Sequence, residues 1–233
     1  ALPFVLDNNF KIIYCVRTNS QQEQVIRELK EFKNSGNKIS AVALQGRQSM
    51  CPQQKDDNEL AKSNWSEKSK ICKTLKMQSK LGENGCPYYK KLLRPRKNLV
   101  QTWLSEINSA EEFTLKAEND GVCPYELNKL LLKEAQIVIV PYVYFFEDFI
   151  RKYLLGWMNT TIDKVITIVD EAHNLPDWSR EAASESLNVK SLRKASRESD
   201  KFGLLMGDGS PPSFFLDLVE SAVIFSNKLV KSE

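Results

Sequence analysis

The sequence lacks any apolar run approaching the roughly 18 residues of a membrane-spanning helix, so no membrane partner is expected. None of its nine glycines is followed by lysine. Within this stretch there is therefore no G-x-x-x-x-G-K-[S/T] loop, whose main-chain N–H groups and lysine cradle nucleotide phosphates. No two cysteines stand in C-x₂₋₄-C spacing, the usual knuckle of structural zinc sites. Internal repeats and low-complexity tracts are absent too. The opening Ala1–Leu6 is apolar but short and has no basic flank. It is not a signal peptide and reads as the tail of a helix from a longer chain. Asn64 and Asn159 match N-x-S/T, which carries no weight without secretion. The compartment reads as reducing and intracellular.

What is present is ordinary for a globular protein: 233 residues, 42% hydrophobic and 27% charged. That length allows one large domain or two small ones. The net charge of +3 neither demands nor excludes nucleic acid, so local clustering has to decide.

Lys11–Val16 predicts a buried strand. A helix follows, with Ser20 and Glu23 at capping-box spacing and Val25, Ile26, Leu29 and Phe32 on one face, stopping near Gly36. Ser40–Leu44 predicts a second strand, which completes a strand–helix–strand unit of a parallel sheet. Residues 46–130 then hold four of the five cysteines, many charges and no clean long period. Helical patches are expected at 54–63, 99–107 and 126–134. The segment looks too poor in core to stand unaided. Sheet character returns at Ala135–Val140 and Val165–Val169, separated by an aromatic, helical Tyr142–Leu155. Continuous β-branched runs suit a parallel sheet buried on both faces. Beyond Trp178 the chain turns polar and helical, with a loop at 207–212 and an amphipathic helix through Phe215, Leu218, Val219 and Ala222.

The sharpest motif is Val169-Asp170-Glu171-Ala172-His173 at the end of a hydrophobic strand. Ligands of open parallel sheets bind beyond the carboxyl ends of strands. Two adjacent carboxylates there can divide labour. Asp170 would hold a nucleotide's magnesium, usually through water. Glu171 would polarise the water attacking the γ-phosphate. His173 would sense that phosphate or link the site to another domain. Adjacent acids also occur simply as solvated helix starts.

Cys51, Cys72, Cys86 and Cys123 are separated by 21, 14 and 37 residues. An odd total of five is a poor disulfide framework. Cys86-Pro87 and Cys123-Pro124 repeat a pairing found in ferredoxin-type cluster motifs. Thiolates converging from separate loops suit a [4Fe–4S] cluster. Zinc and unliganded buried thiols are the alternatives, and Cys15, inside a strand, reads as core. Lys90, Lys91, Arg94, Arg96 and Lys97 form a basic run after Tyr88 and Tyr89. Such a run tracks a phosphate backbone or is a solvated loop. Tyr142, Tyr144, Phe145 and Phe146 are either core or a base-stacking platform.

In order as well as wording these residues resemble the XPD family of superfamily 2 helicases. Tyr14-Cys15-Val16-Arg17-Thr18-Asn19-Ser20-Gln21 looks like its motif Ia. Gln45–Cys51, Cys72, Gly85-Cys86-Pro87-Tyr88 and Val122-Cys123-Pro124-Tyr125-Glu126 resemble the segments carrying its cluster cysteines. Pro141–Phe145 and Val169–Pro176 complete the pattern, whose wording is archaeal-like. The resemblance covers residues 10–180 well and the remainder weakly.

The resemblance implies an α/β fold: a RecA-like, parallel-sheet motor domain at 1–44 and 131–180, interrupted by an iron–sulfur domain at 45–130, with a helical arch beginning at 181–233. It implies ATP-driven 5′→3′ unwinding of DNA in nucleotide excision repair and related repair. The cofactors would be a [4Fe–4S] cluster on the four cysteines, with Mg²⁺ and ATP. The partners would be single-stranded DNA, the duplex junction and the rest of the helicase chain. DNA contacts are expected from Arg17, Thr18, the basic run, Tyr142 and Tyr144. The protein would be cytoplasmic, or nuclear if eukaryotic. The phosphate loop is expected before Ala1, so this stretch alone is expected to be inactive. The alternative is a non-catalytic nucleic-acid-binding module with a structural Cys₄ metal site.

Overall fold

The structure is a computed structural model that describes residues 10–55, 65–94, 98–184, 189–203 and 212–230. The chain divides into two compact units, Ala1–Ala172 and His173–Glu233. Among the described residues, four strands of the first unit form one parallel sheet: β1 (Lys11–Val16), β2 (Ala41–Ala43), β3 (Ile137–Pro141) and β4 (Val165–Val169), in the order β2-β3-β1-β4. Ile12 pairs with Ile137 on one side and Ile166 on the other. The parallel α/β expectation holds. Its two-sided burial holds for the inner strands, where Ile13, Val138, Ile139 and Val140 are fully buried. Every residue of β4 is only half-buried, whereas β2, at the other edge among the described strands, is buried throughout.

Helix α1 (Asn19–Asn34) packs Val25 and Ile26 against Ile12, Val16, Ile137 and Ile139. Its capping box is Thr18 with Gln21, not Ser20 with Glu23. The same spacing occurs twice, two residues apart. Thr18 takes the role because its backbone is still extended (φ −124°, ψ 160°), as a cap requires, whereas Ser20 already lies inside the helix.

Between β2 and β3 the chain forms α2 (Arg47–Met50), α3 (Trp65–Lys80), α4 (Pro87–Leu93), α5 (Leu99–Leu104), α6 (Ala110–Asn119) and α7 (Pro124–Leu132). The patch expected at 54–63 falls largely outside the described residues. The later patches are α5 and α7, with shifted ends. The later part of this segment is well buried within the unit. Trp103 and Phe113 meet edge to face at 5.0 Å, and Ala117, Val122, Leu127 and Leu132 are fully buried.

After β3 the aromatic stretch is two helices, α8 (Tyr142–Phe146) and α9 (Asp148–Met158), broken at the extended Glu147. Two polar ties fasten the inserted segment to the sheet. Asn128 Nδ2 of α7 donates to the Ala43 carbonyl at 2.9 Å. Lys11 Nζ donates to the carbonyls of Leu132 (3.1 Å), Lys133 (2.6 Å) and Met158 (2.9 Å), at the carboxyl ends of α7 and α9. A cation is favoured at that end of a helix.

The second unit contains α10 (Leu175–Ala183), α11 (Val189–Phe202) and α12 (Pro212–Val230). Arg193 of α11 pairs with Glu220 of α12 at 2.7 Å. The predicted loop at 207–212 lies outside the described residues but for Pro212. Among the described residues no helix is long and apolar enough to cross a membrane.

Candidate functional site

The carboxyl edge of the sheet gathers the acidic motif and the residues following β1. The Asp170 N–H donates to the Cys15 carbonyl at 2.9 Å, one residue beyond the end of β4. Glu171 then turns with φ +48°, a left-handed conformation uncommon for residues other than glycine. The Tyr142 hydroxyl donates to the Asp170 carbonyl and lies 3.2 Å from that of Glu171. Burial, then the Asp170 charge, push the Tyr142 phenol up. The same two causes act on Tyr14, whose phenol is also raised. Arg17 is exposed just past β1, and Thr18 is committed to capping α1. His173 belongs to the second unit, where Nε2 lies 3.2 Å from Asn174 Nδ2.

Cys51, Cys72, Cys86 and Cys123 all line one cavity of about 710 Å³. They do not all come from loops, as the sequence suggested. Cys72 is within α3, and Cys86 and Cys123 are the N-cap residues of α4 and α7. Cys51 follows α2 and precedes a 3₁₀ turn starting at Pro52. Three cysteines thus share one device, a Cys-Pro step opening a helical turn. Proline forces the preceding residue to be extended, and at the first helical position its missing N–H costs nothing. The Cys51-Pro52 instance was readable in the sequence and was overlooked there.

Burial pushes the thiols of Cys51 and Cys86 up and that of Cys123 up to about 12. Main-chain N–H groups of the following turn oppose this: Gln53 and Gln54 at Cys51, Tyr89 and Tyr88 at Cys86, Glu126 at Cys123. Cys15 is fully buried in β1, its thiol also raised to about 12 by burial. Among the described residues no three Cys, His, Asp or Glu side chains are placed to hold a metal ion. A zinc ion would need its sulfurs about 2.3 Å from one centre.

The DEAD_2 family pattern matches residues 14–192. The chain belongs to the DEAD_2 family. It is 29% identical over 203 residues to the ATP-dependent DNA helicase CHL1 of Vanderwaltozyma polyspora, covering 80% of this chain and 22% of that protein. It is 30% identical over 186 residues to the human regulator of telomere elongation helicase 1, covering 78% of this chain and 14% of that protein. Among solved structures, one described as truncated XPD matches 94% of this chain and 55% of that chain, at TM-score 0.53 and 21% identity; that likeness is one of fold. The expected XPD-like membership of the superfamily 2 helicases holds. The DEAD_2 chain spans less than a quarter of the curated relatives named here.

In this DEAD_2 chain the cavity also holds charges that sequence reasoning missed. Arg47, Lys68, Lys76 and Lys129 line it, and Glu126 is the one carboxylate among the described lining residues. Lys76 and Lys129 reach Glu126 at 2.7 and 3.3 Å. Burial pushes the Glu126 carboxyl up, but Lys129 and Lys76 more than offset it and hold it below the usual range. Arg47 Nε is buried without a hydrogen-bond partner. The Arg47 guanidinium sits 5.1 Å over the Tyr125 ring, and Lys129 sits over Tyr125 and Trp157 at 4.6 and 4.4 Å. A cavity with four thiols, an orphaned guanidinium N–H and more cations than carboxylates fits an anionic occupant. The available signal was spacing: Lys76 lies one turn after Cys72, and Glu126 one turn after Cys123.

Gly85 is required beside Cys86. A Cβ there would overlap the Leu75 carbonyl and Ser79 of α3. The close approach lets Cys86 N–H reach the Leu75 carbonyl at 3.4 Å and Ser79 Oγ reach the Cys86 carbonyl at 3.3 Å.

Of the basic run, Lys90 and Lys91 lie on α4 and Arg94 follows it, with Lys91 and Arg94 exposed. Arg96 and Lys97 lie outside the described residues. Tyr142 and Tyr144 are buried, at 1% and 7% exposure, and the Tyr144 hydroxyl donates to the Gln45 carbonyl at 3.1 Å. Neither ring offers a face to a nucleic-acid base. The core alternative describes both, a correction that follows from two distant main-chain acceptors.

Proposed function

We propose that this DEAD_2 chain is part of an ATP-dependent 5′→3′ DNA helicase of XPD type that acts in DNA repair, including nucleotide excision repair. The observation that carries the reading is the Asp170–Glu171 turn at the carboxyl edge of a parallel sheet, where nucleotides bind in such folds. Asp170 would hold the magnesium ion, and Glu171 would orient and deprotonate the water that attacks the γ-phosphate. His173 senses that phosphate or links the site to another domain. Magnesium, when bound, neutralises charge on the phosphates. Arg17, Lys90, Lys91 and Arg94 contact single-stranded DNA near the duplex junction. This stretch contains no phosphate loop, so turnover is expected of the protein that supplies one.

The four cysteines hold a [4Fe–4S] cluster, within a cluster domain at 45–130 that precedes a second motor segment and an arch beginning near 181. Support comes from the shared cavity, its cationic lining and the main-chain N–H groups that favour three of the thiolates. A cluster of several irons accepts thiolates that stand too far apart for one ion. When bound, it would supply iron–thiolate bonds that fasten the turn after α2 to α3, α4 and α7.

In the complete protein, Glu171→Gln is expected to lower ATP turnover about 1000-fold and to spare nucleotide binding. Unchanged turnover removes Glu171 from the base role. Iron and acid-labile sulfide analysis tests the cluster: Cys86→Ser should bleach the visible absorption of the wild type. A colourless wild type carrying one zinc overturns that assignment.

A further inference from the structure

Tyr142 was expected to contact DNA, yet its hydroxyl is directed at the main chain of the acidic turn. It lies on α8, immediately after β3, with its ring edge to face against Phe146 at 5.8 Å. The ring is buried, so the O–H has no access to bulk water. It donates to the Asp170 carbonyl and is within 3.2 Å of the Glu171 carbonyl.

Successive residues of a strand alternate in direction. One donor reaches the carbonyls of both Asp170 and Glu171 because the alternation ends there, at the positive φ of Glu171. That conformation persists only where its surroundings hold it. On one side the Asp170 N–H is held by the Cys15 carbonyl at 2.9 Å. On the other side stands the Tyr142 hydroxyl. A phenol is a donor at neutral pH, and burial and then the Asp170 charge push this one further toward the protonated form.

We propose that Tyr142 is a positioning residue: its hydroxyl fixes the main chain between Asp170 and Glu171, and thereby the relative placement of the two carboxylates. This rests on the reading of Asp170 and Glu171 as the hydrolytic pair. In this role Tyr142 acts through the main chain of the acidic turn rather than on the reacting atoms. It acts by holding a turn that an L-residue would otherwise leave.

The test uses the complete protein and three variants. Tyr142→Phe removes one oxygen and keeps the ring. It is expected to lower kcat for ATP by about tenfold or more, as small misplacements of reacting groups do, with KM for ATP and melting temperature nearly unchanged. Main-chain amides at 170–172 should exchange hydrogen faster than in the wild type. Replacing Tyr142 with 4-aminophenylalanine restores a donor at that position and should restore kcat. Glu171→Gln is run beside them. Full kcat in Tyr142→Phe while Glu171→Gln is dead overturns the proposal. So does a loss in Tyr142→Phe that the amino variant fails to rescue. If Glu171→Gln keeps its turnover, the acid-pair reading fails by itself and the exchange result decides: faster exchange upholds the hold on the turn, and unchanged exchange overturns it. Should Tyr142→Phe fail to fold, the amino variant decides through the same kcat and exchange readouts.

Discussion

The sheet and the cysteine cavity lie in one compact unit but are held together by different means. Ile13, Val138, Ile139 and Val140 interdigitate in the sheet with no exposure at all. Around the cysteines the walls are cations laid over rings: Arg47 over Tyr125, Lys76 over Tyr89, Lys129 over Tyr125 and Trp157. An apolar core is complete once its atoms touch. A set of cations of which Lys76 and Lys129 share Glu126, the one carboxylate among the described lining residues, is not, because like charges in a poorly solvated space repel. The contrast suggests that the sheet supports itself, whereas the cavity depends on an occupant of opposite charge.

The largest effect expected is in the sheet. Ile139→Ala removes a fully buried side chain and should cost about 4 kcal/mol, equally with and without iron. Native-state hydrogen exchange reads each region separately, and an iron-dependent loss would break the contrast. Next is Glu126→Gln, which leaves the surrounding cations unpaired and should cost about 3 kcal/mol in iron-free protein. The loss should shrink once iron is loaded. Equal losses would argue against an anionic occupant.

The same carboxylate sets an acid limb. Its pKa is depressed in the folded state. Its stabilisation is therefore full above the unfolded value of about 4.3 and is lost as pH falls through the lower folded value. Glu126→Gln should flatten that limb. The smallest effect is Gly85→Ala, about 2 kcal/mol from overpacking against α3. It should be confined to the cysteine region and accompanied by faster iron loss. Exchange that also quickens in β3 would show that the two regions unfold together.

The sequence disclosed the two regions unequally, and for physical reasons. Continuous β-branched runs such as Ile137–Val140 have few readings other than an inner strand, so the sheet and the place of Asp170 were legible. Helix α3 was not. It is rich in lysine and serine, it faces a cavity and solvent, and so it lacks the apolar stripe by which helices are recognised. The capping box was ambiguous between two frames, which only backbone dihedrals separate. Tyr142 and Tyr144 could have stood inside or outside. What decided was a pair of carbonyl acceptors, at Asp170 and Gln45, that no local pattern announces. Cys51-Pro52 was visible and unread, since its meaning emerges only when all three Cys-Pro steps open helical turns.

Lys11 bears on the order in which the molecule assembles. Its ammonium donates to carbonyls of residues 121, 122 and 147 positions later in the chain. Until β1 is docked, the last turns of α7 and α9 are left to satisfy those oxygens with water. Contacts so distant in sequence form late, after the loop between them has been closed. Order at the carboxyl end of α7, and through that helix at Cys123, is thus contingent on β1.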